Sequence, residues 1–371
     1  MRRLIFTLPC LFLILDWLLP LSFPMAVALP AAVVMLAASQ YYFWSRLSSG
    51  SMLNPELPRL LIIFFNWALG WIFTLTLLQI CLDIAVLPVA LAEWRPVFIP
   101  SVLREAAGLL AGLIAAVSVR SAIRVPPVRD VSITIPGLDL AFDGYRLIQL
   151  TDLHLSRLFT ASWARKVVER TNAAGADLIV ITGDFIDGPV SARAEAVAPL
   201  KNLTAPDGVL AIPGNHEYLS GYGSWIQHLS GLGLHLLLNA HETITRGEAR
   251  LVIAGVTDLS AARHHEAPPD LAAALAGRPD NAAVVLLDHQ PRNARAAPAY
   301  GVALQLSGHT HGGMVRGLDR IVARANNGFV SGRYSIGDMT LYVSNGTGLW
   351  PGFALRLGVP SEITRFHLLA G

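Results

Sequence analysis

The first third of the chain and the remainder follow different hydrophobic rhythms. Up to about residue 120, apolar residues run almost unbroken through four stretches, at about 4–21, 25–44, 60–82 and 100–119. Each approaches the ~20 residues that a helix needs to cross the hydrocarbon core of a bilayer, so a transmembrane region of four helices is expected over 1–123. The opening MRRLIFTLPCLFLILDW also has the basic-then-apolar order of a signal peptide, but no small-residue cleavage site follows and more apolar segments do.

Beyond residue 124 the pattern shortens. YRLIQLTD, DLIVITGD, GVLAIPGNHE, LVIAGVTD, AVVLLDH, VALQLSGHTH and TLYVSNG read as strands, and SWARKVVERTNAAG (162–175) as an amphipathic helix closed by a glycine. The prolines of RVPPVRD (124–130) resist helix and central strand alike, which makes 124–144 a linker with a first strand and 145–371 the second domain. Strands beside helices imply a layered α/β arrangement. GEARLVIAG, with a polar turn before its strand, adds a hairpin and hence a mixed sheet.

Composition sharpens this division. The chain is 53% hydrophobic and 15% charged, and the apolar excess lies in the first third. A net charge of +2 gives no basic footprint for nucleic acid. Cys10 and Cys81 both fall in apolar segments, which excludes a disulfide framework or a cysteine metal site from the C-terminal part. Arg2, Arg3, Arg46, Arg59, Arg120, Arg124 and Arg129 flank the apolar stretches on one side. The opposite loop carries Asp83, Glu93 and Arg95, so positive-inside counting places both termini in the cytoplasm. Asp16 inside the first stretch raises a functional question by its depth, and is expected to face neighbouring helices and bond a Ser, Tyr or Trp.

The chemistry lies at the strand ends, where open α/β sheets place their ligands. Run after run closes on an acid, amide or imidazole: Asp152 and His154 in TDLH, Asp184 in TGD, Asn215 in GNHE, His289 in LLDHQP, His309 and His311 in GHTH. These oxygen and imidazole donors suit divalent Mn, Fe, Zn, Co or Ni. The set exceeds the needs of one ion and serves two if Asp184, at the end of a middle strand, is shared. Two such ions would clamp an in-line displacement at phosphorus and deliver a bridging hydroxide as nucleophile. In DLH and HTH, donors at i and i+2 would point the same way on extended chain. Glycines at 183, 214, 308, 312 and 313 leave room for sharp turns. His216 stays available as general acid or phosphate holder. Arg157 could touch a phosphate, and Asp258 and Asp288 could brace ligand histidines. The pair His264 and His265 in RHHEAPPD reads as solvent-exposed.

The order D-x-H, G-D, G-N-H-E, lone His, G-H-x-H resembles the calcineurin-like metallophosphoesterases over most of residues 145–350. The resemblance implies a four-layer α/β/β/α sandwich. It implies one ion at Asp152, His154, Asp184 and His311, another at Asp184, Asn215, His289 and His309, and His216 as the catalytic histidine. GNHEYLSG and DGYRLIQLTDLHL look like a multi-pass bacterial membrane subgroup with relatives similar to UDP-diacylglucosamine pyrophosphohydrolases, and the preceding helices are similar to those of transmembrane proteins with a metallophosphoesterase domain. The expectation is a phosphoesterase of the bacterial inner membrane with a cytoplasmic catalytic domain. It would act on a phosphate ester or pyrophosphate, lipid-linked or small. Hydrolysis of soluble phosphodiesters or nucleotides, and a non-catalytic metal- and phosphate-binding sensor or scaffold, are the alternatives.

Overall fold

The structure is a computed structural model that describes residues 4–371, with side chains from Phe6 onward; Arg2 and Arg3, used above for orientation, lie outside the described residues. It divides into two compact units, Met1–Ala122 with Pro351–Leu355, and Ile123–Trp350 with Arg356–Gly371.

The first unit is helical. Helix α1 (Leu4–Leu13) runs on through a π turn (Ile14–Leu18) and a 3-10 turn (Leu19–Leu21). Helices α2 (Met25–Ser39) and α3 (Tyr41–Ser49) are bent 57° apart at Gln40. Among the described residues, helices α4 (Arg59–Glu93) and α5 (Ser101–Ile123) are the two long and apolar enough to cross a membrane, or three with the bent pair counted as one span. The third predicted stretch therefore ends later than residue 82. IAVLPVALA continues the apolar face past Pro88, and Asp83 sits within α4 instead of in a loop. Small residues on α5 admit large neighbours: a Cβ on Gly108 would stand 2.5 Å from the Trp17 ring. Asp16 finds partners of a different kind from those expected. Its Oδ2 accepts from Gln79 Nε2 at 2.8 Å, and the Arg104 guanidinium donates to its backbone oxygen. The donors that α4 and α5 turn toward it are an amide and a guanidinium. Pro351–Leu355 belongs to this unit because Asn66 grips it at both edges, donating to Pro351 O (2.9 Å) and accepting from Ala354 N (2.5 Å).

The second unit holds two six-stranded sheets. Its strands are β1 (Val128–Ile135), β2 (Tyr145–Leu150), β3 (Leu178–Thr182), β4 (Val209–Ile212), β5 (His235–Leu236), β6 (Ala240–Arg246), β7 (Ala249–Gly255), β8 (Ala283–Leu287), β9 (Leu304–Ser307), β10 (Gly332–Ile336), β11 (Met339–Val343) and β12 (Ile363–Ala370). The first sheet runs β1-β12-β2-β3-β4-β5, with β2 to β5 mutually parallel and β12 antiparallel to β2. The second runs β10-β11-β9-β8-β7-β6, parallel from β11 to β7, with β6 and β7 forming the expected hairpin.

Alternation along the strands builds the layers. Leu251 and Ile253 of β7, and Val285 and Leu287 of β8, meet Leu147, Leu178, Val180 and Leu210 in one core between the sheets. Their neighbours Val252, Ala254, Val284 and Leu286 point the other way, against Ala274, Ala294 and Ala297. On the first sheet, Ile148, Ile179 and Ile181 are likewise buried on the face away from that core. The crossover helix α6 (Ala161–Ala173) buries Trp163, Ala164, Val167 and Val168, and Gly175 follows it at φ 68° as the expected stop. Two sheets packed face to face, with helices outside them, make the layered α/β sandwich expected.

Candidate metal centre

Five parallel strands end at one place. Strands β2, β3 and β4 of the first sheet and β8 and β9 of the second release Asp152 and His154, Asp184, Asn215 with His216, His289, and His309 with His311. Ligand atoms of Asp152, His154 and His311 lie within 4.8 Å of one another, as do those of Asp184, His289 and His309, and those of His154, Asp184 and His216. Asp184 stands between the groups. Its Oδ1 accepts from the His216 backbone N–H at 2.8 Å, and Oδ2 lies 3.7 Å from His154 Nε2 and 3.2 Å from His289 Nε2. Asn215 Oδ1 stands 3.2 Å from that same His289 nitrogen.

The backbone reaches this arrangement in a way that an extended chain could not. Asp152 (φ 53°), His154 (φ 46°), Asp184 (φ 55°), His309 (φ 68°) and His311 (φ 50°) all occupy the left-handed region, which is uncommon for residues with a Cβ and concentrates at functional sites. The expectation that DLH and HTH present paired donors from extended chain is thus corrected. In HTH the two rings even part company, His311 going to Asp152 and His154, and His309 to Asp184 and His289. Gly183 completes the crowding: at φ 88°, a Cβ on it would lie 2.6 Å from Gly214 N and 2.8 Å from His289 Nδ1.

The rings are oriented from behind. His289 Nδ1 lies 2.7 Å from Thr182 O, and His154 Nδ1 lies 3.2 Å from Asp187 Oδ2, so each donates from Nδ1 and turns a bare Nε2 toward Asp184. Lone pairs facing a carboxylate oxygen at 3.2–3.7 Å repel unless a cation lies among them. The donor set therefore fits divalent ions. In the metal-free chain protons serve instead. Burial opposes a charge on His289, but Asp184 outweighs it and holds that ring well above the ordinary imidazole range. Burial likewise opposes charge on His216, and Asp184 and Asp187 together raise it to about 10. His309 is pushed down to about 4 by burial and the charge of His289. His311 falls well below its ordinary value through burial, His154 and Arg356.

A calcineurin-like phosphoesterase family profile matches residues 145–313. The metallophosphoesterase YkuE of Bacillus subtilis is 35% identical over 61% of this chain and 80% of its own length. The chain belongs to the calcineurin-like phosphoesterase family. A metallophosphoesterase of Helicobacter pylori is 33% identical over 66% of this chain and 64% of its own length. A transmembrane protein with metallophosphoesterase domain from Danio rerio is 32% identical over 70% of this chain and 61% of its own. The chain thus spans under two thirds of those two relatives, and its relatives come from bacteria and animals alike, not from a bacterial subgroup alone.

Within this family member several braces escaped the sequence reading. Asp187 is buried and touches two rings, with Oδ2 toward His154 and Oδ1 2.6 Å from His216 Nδ1. Burial would raise its pKa, but those two histidines hold it below the usual carboxylate range. The Glu217 carboxylate accepts from the backbone N–H groups of Gly214, Asp184 and Phe185 at 2.7–3.0 Å, locking the loops after β3 and β4 together. Arg356, fully buried, donates to the carbonyls of His311, Asn345 and Gly348. Asp187 had a signal, a second acid three residues beyond Asp184 in GDFID, whereas Arg356 lies in no pattern.

Other expectations move. Asp258 accepts from Ser260 and Gln290, and Asp288 from Gln305, so among the described residues neither braces a histidine. Arg157 is exposed and lines a separate cavity with Thr160, Arg165 and Glu195. His265 is exposed as expected, but His264 is half-buried and faces a cavity beside Asn215 and His309.

Proposed function

We propose that this protein is a membrane-anchored, dinuclear metal-dependent phosphoesterase that hydrolyses a phosphate ester or pyrophosphate bond by in-line displacement. The observation that carries this reading is the placement of Asp184 Oδ2 between His154 Nε2 and His289 Nε2, at 3.7 and 3.2 Å. Asp152, His154, Asp184 and His311 would hold one divalent ion, and Asp184, Asn215, His289 and His309 the other, Mn, Fe, Zn, Co and Ni all suiting the donors. Bound there, two ions acidify water and neutralise charge on phosphoryl oxygens.

The chain's own groups do the rest. His216, its Nδ1 fixed by Asp187, presents Nε2 toward the cluster and gives a proton to the leaving oxygen or holds the substrate phosphate. Asp187 keeps His154 and His216 in register, which a non-catalytic phosphate sensor would not require. The apolar helices fit anchorage in a bacterial inner membrane with the catalytic unit in the cytoplasm, and a substrate confined to that membrane is the favoured class.

The test uses the full-length chain in detergent, loaded with Mn. Wild type should hydrolyse bis-p-nitrophenyl phosphate, and Asp184→Asn should not. Incubation with a membrane lipid extract should then convert one phosphorylated species. Equal turnover by wild type and Asp184→Asn would remove the enzyme reading.

A further inference from the structure

A cavity of about 710 Å³ opens beside Asn215 and His309. Its other walls include Arg263, Arg292, Gln290 and Ser260, and no acidic side chain lines it. Asp258, a carboxylate behind those walls, is already engaged: Ser260 N and Oγ donate to it at 2.8 and 2.6 Å, and Gln290 Nε2 at 2.9 and 3.0 Å. Arg263 and Arg292 are exposed, and among the described residues neither guanidinium makes an ion pair or a hydrogen bond. Two uncompensated cations on one cavity wall, next to residues of the metal centre, form a field that favours an anion.

Their placement is built into the fold. Arg263 sits in the 3-10 turn Ala261–His264 that follows β7, and Arg292 is the second residue of the 3-10 segment Pro291–Tyr300 that follows β8. The bond from Gln290 to Asp258 joins these two loops, so the arginines are presented from neighbouring strand ends at a fixed span. Gln290 is a positioning residue in this arrangement.

We infer that the Arg263–Arg292 cavity binds a second phosphate of the substrate, so that the preferred substrates are pyrophosphate diesters, in which a second phosphoryl group adjoins the scissile one. This rests on the phosphoesterase reading above. In the reaction one water is consumed. Its oxygen bonds to the scissile phosphorus, and the P–O bond to the bridging oxygen breaks with its electron pair staying on that oxygen, so the second phosphate departs into the cavity. One proton of the water stays with the new phosphate, and the other is balanced by the proton that His216 or solvent gives to the departing phosphate. A phosphate leaving group is stable as an anion, and two guanidinium groups facing it stabilise the charge that develops.

The experiment compares wild type, Arg263→Ala, Arg292→Ala and Arg263→Lys in the full-length, Mn-loaded chain. Substrates are bis-p-nitrophenyl phosphate with one phosphorus, ADP-ribose as a soluble pyrophosphate diester, and CDP-diacylglycerol in mixed micelles as a lipid one. Equilibrium binding of methylenediphosphonate and of orthophosphate is measured alongside. Each alanine variant should lose about 10-fold more kcat/KM on a pyrophosphate diester than on the aryl diester, with partial rescue by lysine. Methylenediphosphonate affinity should fall by a similar factor relative to orthophosphate. Selectivity for ADP-ribose or for CDP-diacylglycerol identifies the source of the second phosphate. Equal losses on aryl and pyrophosphate substrates, or no loss on the latter, would overturn the inference. Arginine-dependent binding of methylenediphosphonate without turnover of any substrate would retain the anion site and refute the hydrolase reading. Absence of both would refute the two together.

Discussion

The two halves of the metal centre are built to different standards. Around Asp152, His154 and His311, Asp152 and His154 have no solvent exposure and their side chains are braced from behind, while His311 is held through its backbone. Thr151 Oγ1 donates to Asp152 Oδ2 at 2.8 Å, Asp187 meets His154, and Arg356 holds the His311 carbonyl. Around His289 and His309 only His289 is so enclosed, while Asn215 and His309 open onto the cavity. The first half is suited to retain its cation, and the second to exchange its cation and meet substrate. In the proposed arrangement Asp184 would serve both, and its loss should damage the centre more than any other single change.

Breaking both halves at once gives the largest effect. Asp184→Asn should lower turnover of an aryl phosphodiester by at least about 1,000-fold and reduce bound metal below two ions per chain, as read by elemental analysis. Splitting the halves comes next. Asp152→Asn should cost about 100-fold or more with loss of the retained ion, while Asn215→Ala should cost about 10- to 100-fold and weaken only the more exchangeable one. Equal metal loss in both variants would erase the distinction.

These contrasts were unevenly legible in the sequence. The strand runs ending at Asp152, Asp184, Asn215, His289 and His311 announced themselves by repetition, since one strand closing on Asp or Asn is an ordinary turn but run after run closing on Asp, Asn or His is not. Strands β1, β10 and β12 carry weaker signals: β1 and β10 are edges, with charges such as Arg129, Asp130 and Arg333 facing outward. The helical stretches were plain, but where α4 ends was not, since Pro88 interrupts composition without ending the helix. Left-handed φ values at Asp152 and His309 fall on residue types that tolerate that region, but Asp and His also occur in ordinary turns, so the sequence does not single these positions out. Arg356 was invisible for a related reason. Its partners are backbone carbonyls, and any residue type supplies those.

A smaller effect sharpens the role of the brace between the halves. Asp187→Asn should lower kcat by about 10- to 100-fold through loose His154 and His216 rings. It should also shift the alkaline limb of the pH profile to lower pH, because His216 loses one of the two carboxylates that favour its protonated form. An unchanged limb would exclude His216 as the proton donor.

The mildest expectations concern protons. His289 and His216 are raised in the metal-free chain, so loading at neutral pH should release protons, visible as a buffer-dependent heat of binding, and metal affinity should climb with pH. The ion pairs of His216 stabilise the metal-free fold fully below the unfolded imidazole pKa of about 6.5. That contribution is lost as pH rises through about 10, so the melting temperature of the metal-free chain should fall between neutral pH and pH 10. Metal-loaded protein should show a flatter profile, since cations replace the protons.

In the proposed centre, side chains from two sheets would hold a pair of cations shared by Asp184. Anomalous diffraction from crystals of the Mn-loaded chain tests it most directly. Two peaks about 3.5–4 Å apart are expected, one beside His154 and His311 and the other beside His289 and His309, with Asp184 between them. A single peak, or a pair that leaves Asp184 uncoordinated, would contradict it.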